Sequence, residues 1–255
     1  MGEPMFSGKL SGRMAALALA GAIMTAAPTA ASAGVVVKST GPSSGTYPVG
    51  RQVADSASIT LRAGDKITVL TDSGTRVMQG PGTFRVGEGA TRTRARFSNL
   101  TRRNAARRVR TGAVRSGETS GPARSPNLWF VNVAASGSVC LYDVERVRLW
   151  RPEAGEAATY QIKDQSSDSS LDVEFVESEA VRALDPAGLT LADGGTYTIT
   201  APASEEGEAT SANVSVVVLD ENYTAPDQLA QALIENGCTT QLELLADTLE
   251  AQVTP

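Results

Sequence analysis

Histidine does not occur anywhere in the 255 residues. Its absence removes Ser-His-Asp and Cys-His catalysis, histidine metal triads and the HExxH zinc proteases together. Lysine is scarce, and neither a Ser-x-x-Lys pair nor a Gly-x-Ser-x-Gly elbow in a strand-to-helix setting is present, so the familiar serine and lysine nucleophiles lack a setting. The glycine-rich stretches GPSSG and GEG lack the Gly-Lys-Ser/Thr ending of a phosphate loop. Beyond the first 33 residues no stretch approaches the length of uninterrupted apolar sequence that crosses a bilayer.

Those first 33 residues have a pattern of their own. Lys9 and Arg13 supply a positive start, the run Met14–Met24 (MAALALAGAIM) is apolar, and Ala31-Ser32-Ala33 provides a small-x-small cleavage site. This reads as a signal peptide over residues 1–33, which places the mature chain in the periplasm or outside the cell. The apolar run is about half of the roughly 20 residues a spanning helix needs. No cysteine follows the cut, where Gly34 stands, so attachment of a lipid there is excluded.

Cys140 and Cys238 are the only cysteines. An even number in an exported chain favours one structural disulfide over free thiols, and a zinc site would need further ligands that the missing histidines cannot supply. A loop near 100 residues closed this way is worth on the order of 4 to 5 kcal/mol in the chain-entropy account.

Charge is segregated. Between Arg92 and Arg124 ten arginines stand against the single acid Glu118, whereas after Arg151 only Lys163 and Arg182 are positive among many acids. The formal net charge of −5 is therefore the sum of two opposed blocks.

Turn residues divide the mature chain. Residues 34–90 open on a short β-prone run and a Gly/Ser/Pro loop, then carry ASITL, KITVL, TRVM and TFRV between Arg62-Ala63-Gly64-Asp65, Asp72-Ser73-Gly74 and Gly80-Pro81-Gly82. Alternation at Ile59 and Leu61, and at Ile67 and Val69, predicts a β-meander. The stretch LRAGDKITVLTDSGTRVMQGPGTFRV, within residues 57–87, resembles the FecR-type periplasmic β-domain, with its Gly-Asp pair before a strand and its Gly-Pro-Gly turn. The resemblance implies a small periplasmic β-domain; FecR proteins themselves signal to a sigma factor through a transmembrane helix, which the mature sequence here does not offer.

Residues 91–126 form an arginine-rich linker with a helical middle expected over Asn99–Arg110. Arg102, Arg103, Arg107, Arg108 and Arg110 are the candidate contacts to an anionic surface or partner: an envelope protein, an anionic envelope polymer, or another copy of the chain. Export argues against nucleic acid.

Residues 127–222 read as LWFVNVA, SVCLYDV, VRLWRP, ATYQIKD, SLDVEFVE, TYTITAP and SVVVLD between turn signals. They predict an antiparallel, immunoglobulin-like sandwich with Trp129, Phe130 and Trp150 in its core. Asp164, Asp168, Asp172 and Glu174 cluster there, but their spacing does not fit a calcium loop, and a solvated acidic turn is the simpler reading. In residues 223–255 the period becomes helical: Leu229, Ala232 and Leu233 share a face before Asn236-Gly237, and Leu242, Leu245 and Leu249 share one from Thr240 to Ala251. The expected αα-hairpin lies on the sandwich, held there by the disulfide. The whole is mainly β, with no metal and no cofactor expected and no catalytic residue assigned. The function expected is binding or assembly at the envelope; the alternatives are a sensory module for a membrane partner and a hydrolase acting on polysaccharide through two convergent carboxylates.

Overall fold

The computed structural model describes residues 33–102, 123–203, 209–221 and 223–253. The signal-peptide reading of residues 1–33 falls almost wholly outside them. The chain is mainly β, with 14 strands in four sheets and three short helices among the described residues. In chain order the elements are β1 (Ala33–Thr40), β2 (Gln52–Ala54), β3 (Ser58–Leu61), β4 (Lys66–Leu70), β5 (Thr75–Gln79), β6 (Gly82–Arg85), α1 (Arg94–Thr101), β7 (Phe130–Asn132), β8 (Gly137–Leu141), β9 (Arg148–Trp150), β10 (Ala158–Asp164), β11 (Ser170–Phe175), β12 (Val181–Ala183), β13 (Thr196–Thr200), β14 (Ser211–Val218), α2 (Pro226–Glu235) and α3 (Thr239–Glu250).

The first six strands do not all pair in sequence: β1 with β2 and β4 with β5 do, the others do not. Strand β1 takes the outer edge of β4, giving the order β2-β1-β4-β5, and β3 pairs instead with β6, so one hairpin is nested inside another pair. The consecutive meander expected from the turn spacing is thereby replaced. Close approach of the two turns permits the nesting: a side chain on Gly80 would put its Cβ 1.9 Å from the Arg62 carbonyl oxygen. Asp65 fixes the same corner, its carboxylate accepting the backbone N–H of Ser43 at 2.8 Å and that of Arg62 at 2.5 Å. Burial works against its ionisation, yet the hydrogen bonds from Ser43 and Arg62 hold its carboxyl below the ordinary value.

Strands β1 and β4 are buried on both faces: GVVV is a continuous apolar run, and in KITVL Thr68 and Leu70 are buried as fully as the alternating Ile67 and Val69. Val36, Ile67 and Val69 face Ile59, Leu61 and Met78 in one core. Val35, Val37 and Leu70 face the other way, into a second core with Phe97 and Leu100 of α1 and the leucines of α2 and α3. Helix α1 thus starts earlier than the sequence places it, at Arg94, and carries part of the arginine-rich segment into the interior. Residues 103–122 lie outside the described residues. Both flanks of that segment are pinned: the Arg102 carbonyl accepts from Asn127 Nδ2 at 3.0 Å, and the Thr101 carbonyl from Trp129 Nε1 at 2.9 Å.

The remaining eight strands make two sheets of order β11-β10-β13-β14-β8 and β12-β9-β7, facing each other across Val131, Leu149, Ile162, Phe175, Ile199 and Val214. This is the expected sandwich with one strand more, β12, too short to show in the sequence, and with two parallel pairings, β14 to β8 and β7 to β9, where antiparallel ones are predicted. Phe130 and Trp150 are buried as expected; Trp129 is buried too, but in the hairpin core, edge-on to Tyr142. Arg151 closes one end of the sandwich, 2% exposed, with its guanidinium over the Phe175 ring and donating to the carbonyls of Val176 and Glu179.

Helix α2 starts at Pro226, suited to a first helical turn, with Asp227 beside it. It stops at Gly237, whose φ of +67° completes a Schellman motif: Gly237 N–H donates to the Ile234 carbonyl and Cys238 N–H to that of Leu233. Helix α3 follows at once. The Cys140–Cys238 disulfide spans 98 residues with a Cα–Cα distance of 5.9 Å, and both cysteines are fully buried. The sequence places the hairpin on the sandwich alone. In the structure its apolar stripes cover β1, β4 and α1 as well as β8, and the described residues form one compact unit.

Candidate functional site

A cavity of about 620 Å³ opens between α3 and the β1–β4 face of the first sheet. A bulge positions its charged wall. The register of β1 against β4 shifts between Val36 and Lys38, so that Val37 and Lys38 both turn toward the hairpin and Lys38 stands opposite Thr68. Lys66, two residues before Thr68, shares that face. From α3 come Glu243, Asp247 and Glu250, spaced by four and three residues and therefore on one side of the helix.

These groups neutralise one another. Lys38 pairs with Asp247 and lies 3.7 Å from Glu250, Lys66 pairs with Glu250, and Thr68 Oγ1 donates to Glu250 at 3.1 Å. Arg124 adds a third cation, 3.1 Å from Asp247. Glu250 is 8% exposed, and burial alone would raise its pKa; the Lys66, Lys38 and Thr68 contacts outweigh that and hold it below the ordinary glutamate value. A glutamate kept ionised in this way anchors a helix to a sheet and makes a poor proton donor. Leu242, Val37 and the exposed Val49 supply the apolar part of the wall.

A second cavity, about 470 Å³, runs along α2 beside Gln52 and Tyr223 and is acidic, with Glu221, Asp227 and Glu235 on its walls. Asp227 is raised by burial first and then by Asp72 and Asp55, and Asp55 by burial and Asp72. A third, about 340 Å³, lies where Ala123 and Arg124 meet Trp150, Pro152, Ser178 and Ala180.

The residues singled out in the sequence are distributed as follows. Cys140 and Cys238 are joined. Arg102 is exposed at the end of α1, and Arg103, Arg107, Arg108 and Arg110 lie outside the described residues. Asp164 caps its own turn, accepting from Ser166 N–H at 2.7 Å, Ser166 Oγ at 2.8 Å and Ser167 Oγ at 3.1 Å, which holds its carboxyl below the ordinary value. Asp172 and Glu174 are exposed on β11. Among the described residues no group of three or more acids, cysteines or histidines is arranged to hold a metal.

Sequence reasoning did not find the Lys38–Lys66–Asp247–Glu250 network. The spacing of Glu243, Asp247 and Glu250 by four and three residues is present in the sequence; the bulge that brings Lys38 to them is not. It also missed Gln241, 5% exposed, whose Nε2 donates to the carbonyls of Leu128 at 2.9 Å and Cys140 at 2.8 Å while its Oε1 accepts from the Cys140 N–H at 2.7 Å. This one side chain satisfies both backbone groups of Cys140 on the edge of β8 away from β14.

Comparison of the chain with protein-family profiles, with curated proteins and with solved structures finds no match to any of them.

Proposed function

We propose that the chain is an exported, non-catalytic protein of the periplasm or the secreted space, which binds or assembles at the cell envelope and meets anionic surfaces through its arginine-rich segment. The observation that carries the reading is the state of the cavity between α3 and the first sheet: its Asp247 and Glu250 are bound to Lys38, Lys66, Arg124 and Thr68, so this pair of carboxylates is spent on holding the hairpin to the sheet. Polysaccharide cleavage by two carboxylates needs one of them protonated as the acid, and Glu250 is shifted the opposite way. Two further features support the reading. A buried disulfide accords with an oxidising compartment, and no helix among the described residues is long and apolar enough to cross a membrane.

The test is binding of the exported protein to polyphosphate and to phosphatidylglycerol vesicles over a salt series. Binding at low ionic strength that falls with added salt, and that weakens at least tenfold in R102Q/R103Q/R107Q/R108Q, is expected. No binding at low salt, or equal binding by the variant, removes the reading.

A further inference from the structure

Strand β1 begins where the expected cut falls. Cleavage after Ala31-Ser32-Ala33 makes Gly34, the second residue of β1, the first residue of the exported chain. Gly34 is buried opposite Val53 of β2, and a Cβ there would lie 2.6 Å from Val69 Cγ1 and 2.9 Å from Thr71 Cγ2, so only glycine allows this approach. Three aspartates meet at this end of the strand, each one residue from a neighbour of Gly34. Asp55 follows Ala54, the partner of Ala33; Asp72 follows Thr71; and Asp227 of α2 lines the same cavity as Val35. None of the three forms a salt bridge among the described residues. Glu221 and Glu235 on the cavity wall carry charge of the same sign, Tyr223 beside them carries none at neutral pH, and Arg76 of β5, whose Nη1 lies against Gly89, pairs with none of them. Asp55 Oδ1, Asp227 Oδ1 and Gln231 Oε1, one turn along α2, are shut off from solvent and accept no hydrogen bond from the described residues. Buried acceptors in that state call for a donor, and buried carboxylates for a cation. The upward shift of Asp227 and Asp55, by burial first and then by Asp72, is what carboxylates held together without a counterion show.

We propose that the missing cation is the α-ammonium of Gly34, set free when the leader is removed, and that it forms a buried ion pair with Asp55, Asp72 and Asp227 in the exported protein. The proposal rests on the reading of residues 1–33 as a signal peptide and says what their removal does to the fold. Hydrolysis of the Ala33–Gly34 amide consumes one water, leaves the new carboxylate on the departing leader and puts the new amine on Gly34. A terminal amine has an ordinary pKa of about 7.7–8.0, so at neutral pH it is protonated and offers three N–H donors. Each side supplies what the other lacks. A buried ammonium is unfavourable without carboxylates around it, and the aspartates repel one another without a cation among them. While the leader is attached the same nitrogen is an uncharged amide, and the three aspartates stay uncompensated. Neutralising Asp227 therefore acts in opposite directions in the two forms: D227N relieves repulsion in the chain that keeps its leader, and removes an ion-pair partner once the leader has gone.

Acetylation of the exported chain with acetic anhydride at neutral pH, read by mass spectrometry of its N-terminal peptide, tests the pair. The Gly34 amine should react at least about tenfold more slowly in the wild type than in D55N/D72N/D227N, which keeps the size of the side chains and removes their charge. Equal rates overturn the proposal. Urea unfolding of the single variants D55N and D227N gives a second measurement that does not depend on the triple variant folding. Each should lower the folded-to-unfolded ratio at least about tenfold in the chain that begins at Gly34. In the chain that keeps Ala31-Ser32-Ala33, which moves the ammonium about 10 Å away, each should leave that ratio unchanged or raise it. An equal change in the two forms overturns the proposal. An exported chain whose first residue is not Gly34 strikes the signal-peptide reading and the proposal with it, whereas a chain that begins at Gly34 and whose amine reacts equally in wild type and variant strikes the proposal alone.

Discussion

Replacing Gln241 by Met keeps the length and apolar stem of the side chain and removes its amide. The structure says what that removes: two donated hydrogen bonds, to Leu128 O and Cys140 O, and one accepted from Cys140 N–H, all inside a core where the side chain is 5% exposed. Cys140 is itself fully buried, so no water replaces the lost partner at its N–H and C=O. Each orphaned buried group costs about 1–3 kcal/mol. Each carbonyl oxygen has a second lone pair, so the carbonyls fall at the lower end of that range and the N–H in its middle. The sum is about 4 kcal/mol for Q241M, against less than about 1.5 kcal/mol for a volume-conserving swap at an apolar site. Chains of this size lose about 2–4 °C in Tm per kcal/mol, so thermal unfolding with the disulfide intact should fall by about 8–16 °C. Urea unfolding of the same variant should show a lower midpoint at an unchanged m-value. A destabilisation below about 1 kcal/mol would refute the account of Gln241 as the cap of the β8 edge, because the lost groups would then have found other partners.

Removing the disulfide as C140S/C238S opens a 98-residue loop and should cost about 4–5 kcal/mol, measured by urea unfolding against the oxidised wild type; a midpoint within error of the wild type would mean that the hairpin core alone holds the tail. Glu250 has a folded pKa below its unfolded one, so its contribution is present above the unfolded value and is lost as pH falls through the folded value. E250Q should therefore lower stability at neutral pH and flatten the acid limb of the stability–pH curve, and an acid limb identical to wild type would contradict the ion-pair assignment. Asp227 is shifted the other way, by burial and by Asp72 and Asp55, so the folded protein takes up a proton there more readily than the unfolded one and stability declines as pH rises through that window. D227N keeps an acceptor in the first turn of α2 and should unfold at a higher temperature than wild type at neutral pH, with the gain vanishing in acid; a loss at neutral pH would sink this prediction.

The elements themselves were legible in the sequence because each follows a local rule. Two-residue alternation marks β3 and β14, the Asn236-Gly237 stop and the leucine spacing mark α2 and α3, and an even cysteine count in an export setting marks the bond that Cys140 and Cys238 make. The nested pairing of β3 with β6, the parallel pairings of β8 and β7, the packing of α1 into the hairpin core and the bulge that turns Lys38 toward Glu250 were not, because each depends on which distant strand takes an open edge or a bare apolar face. Local propensity is a property of neighbours along the chain and survives in the sequence. Edge satisfaction and charge neutralisation are settled among groups far apart in sequence, as between Lys38 and Asp247 or Cys140 and Gln241, and become determinate only when the chain closes on itself.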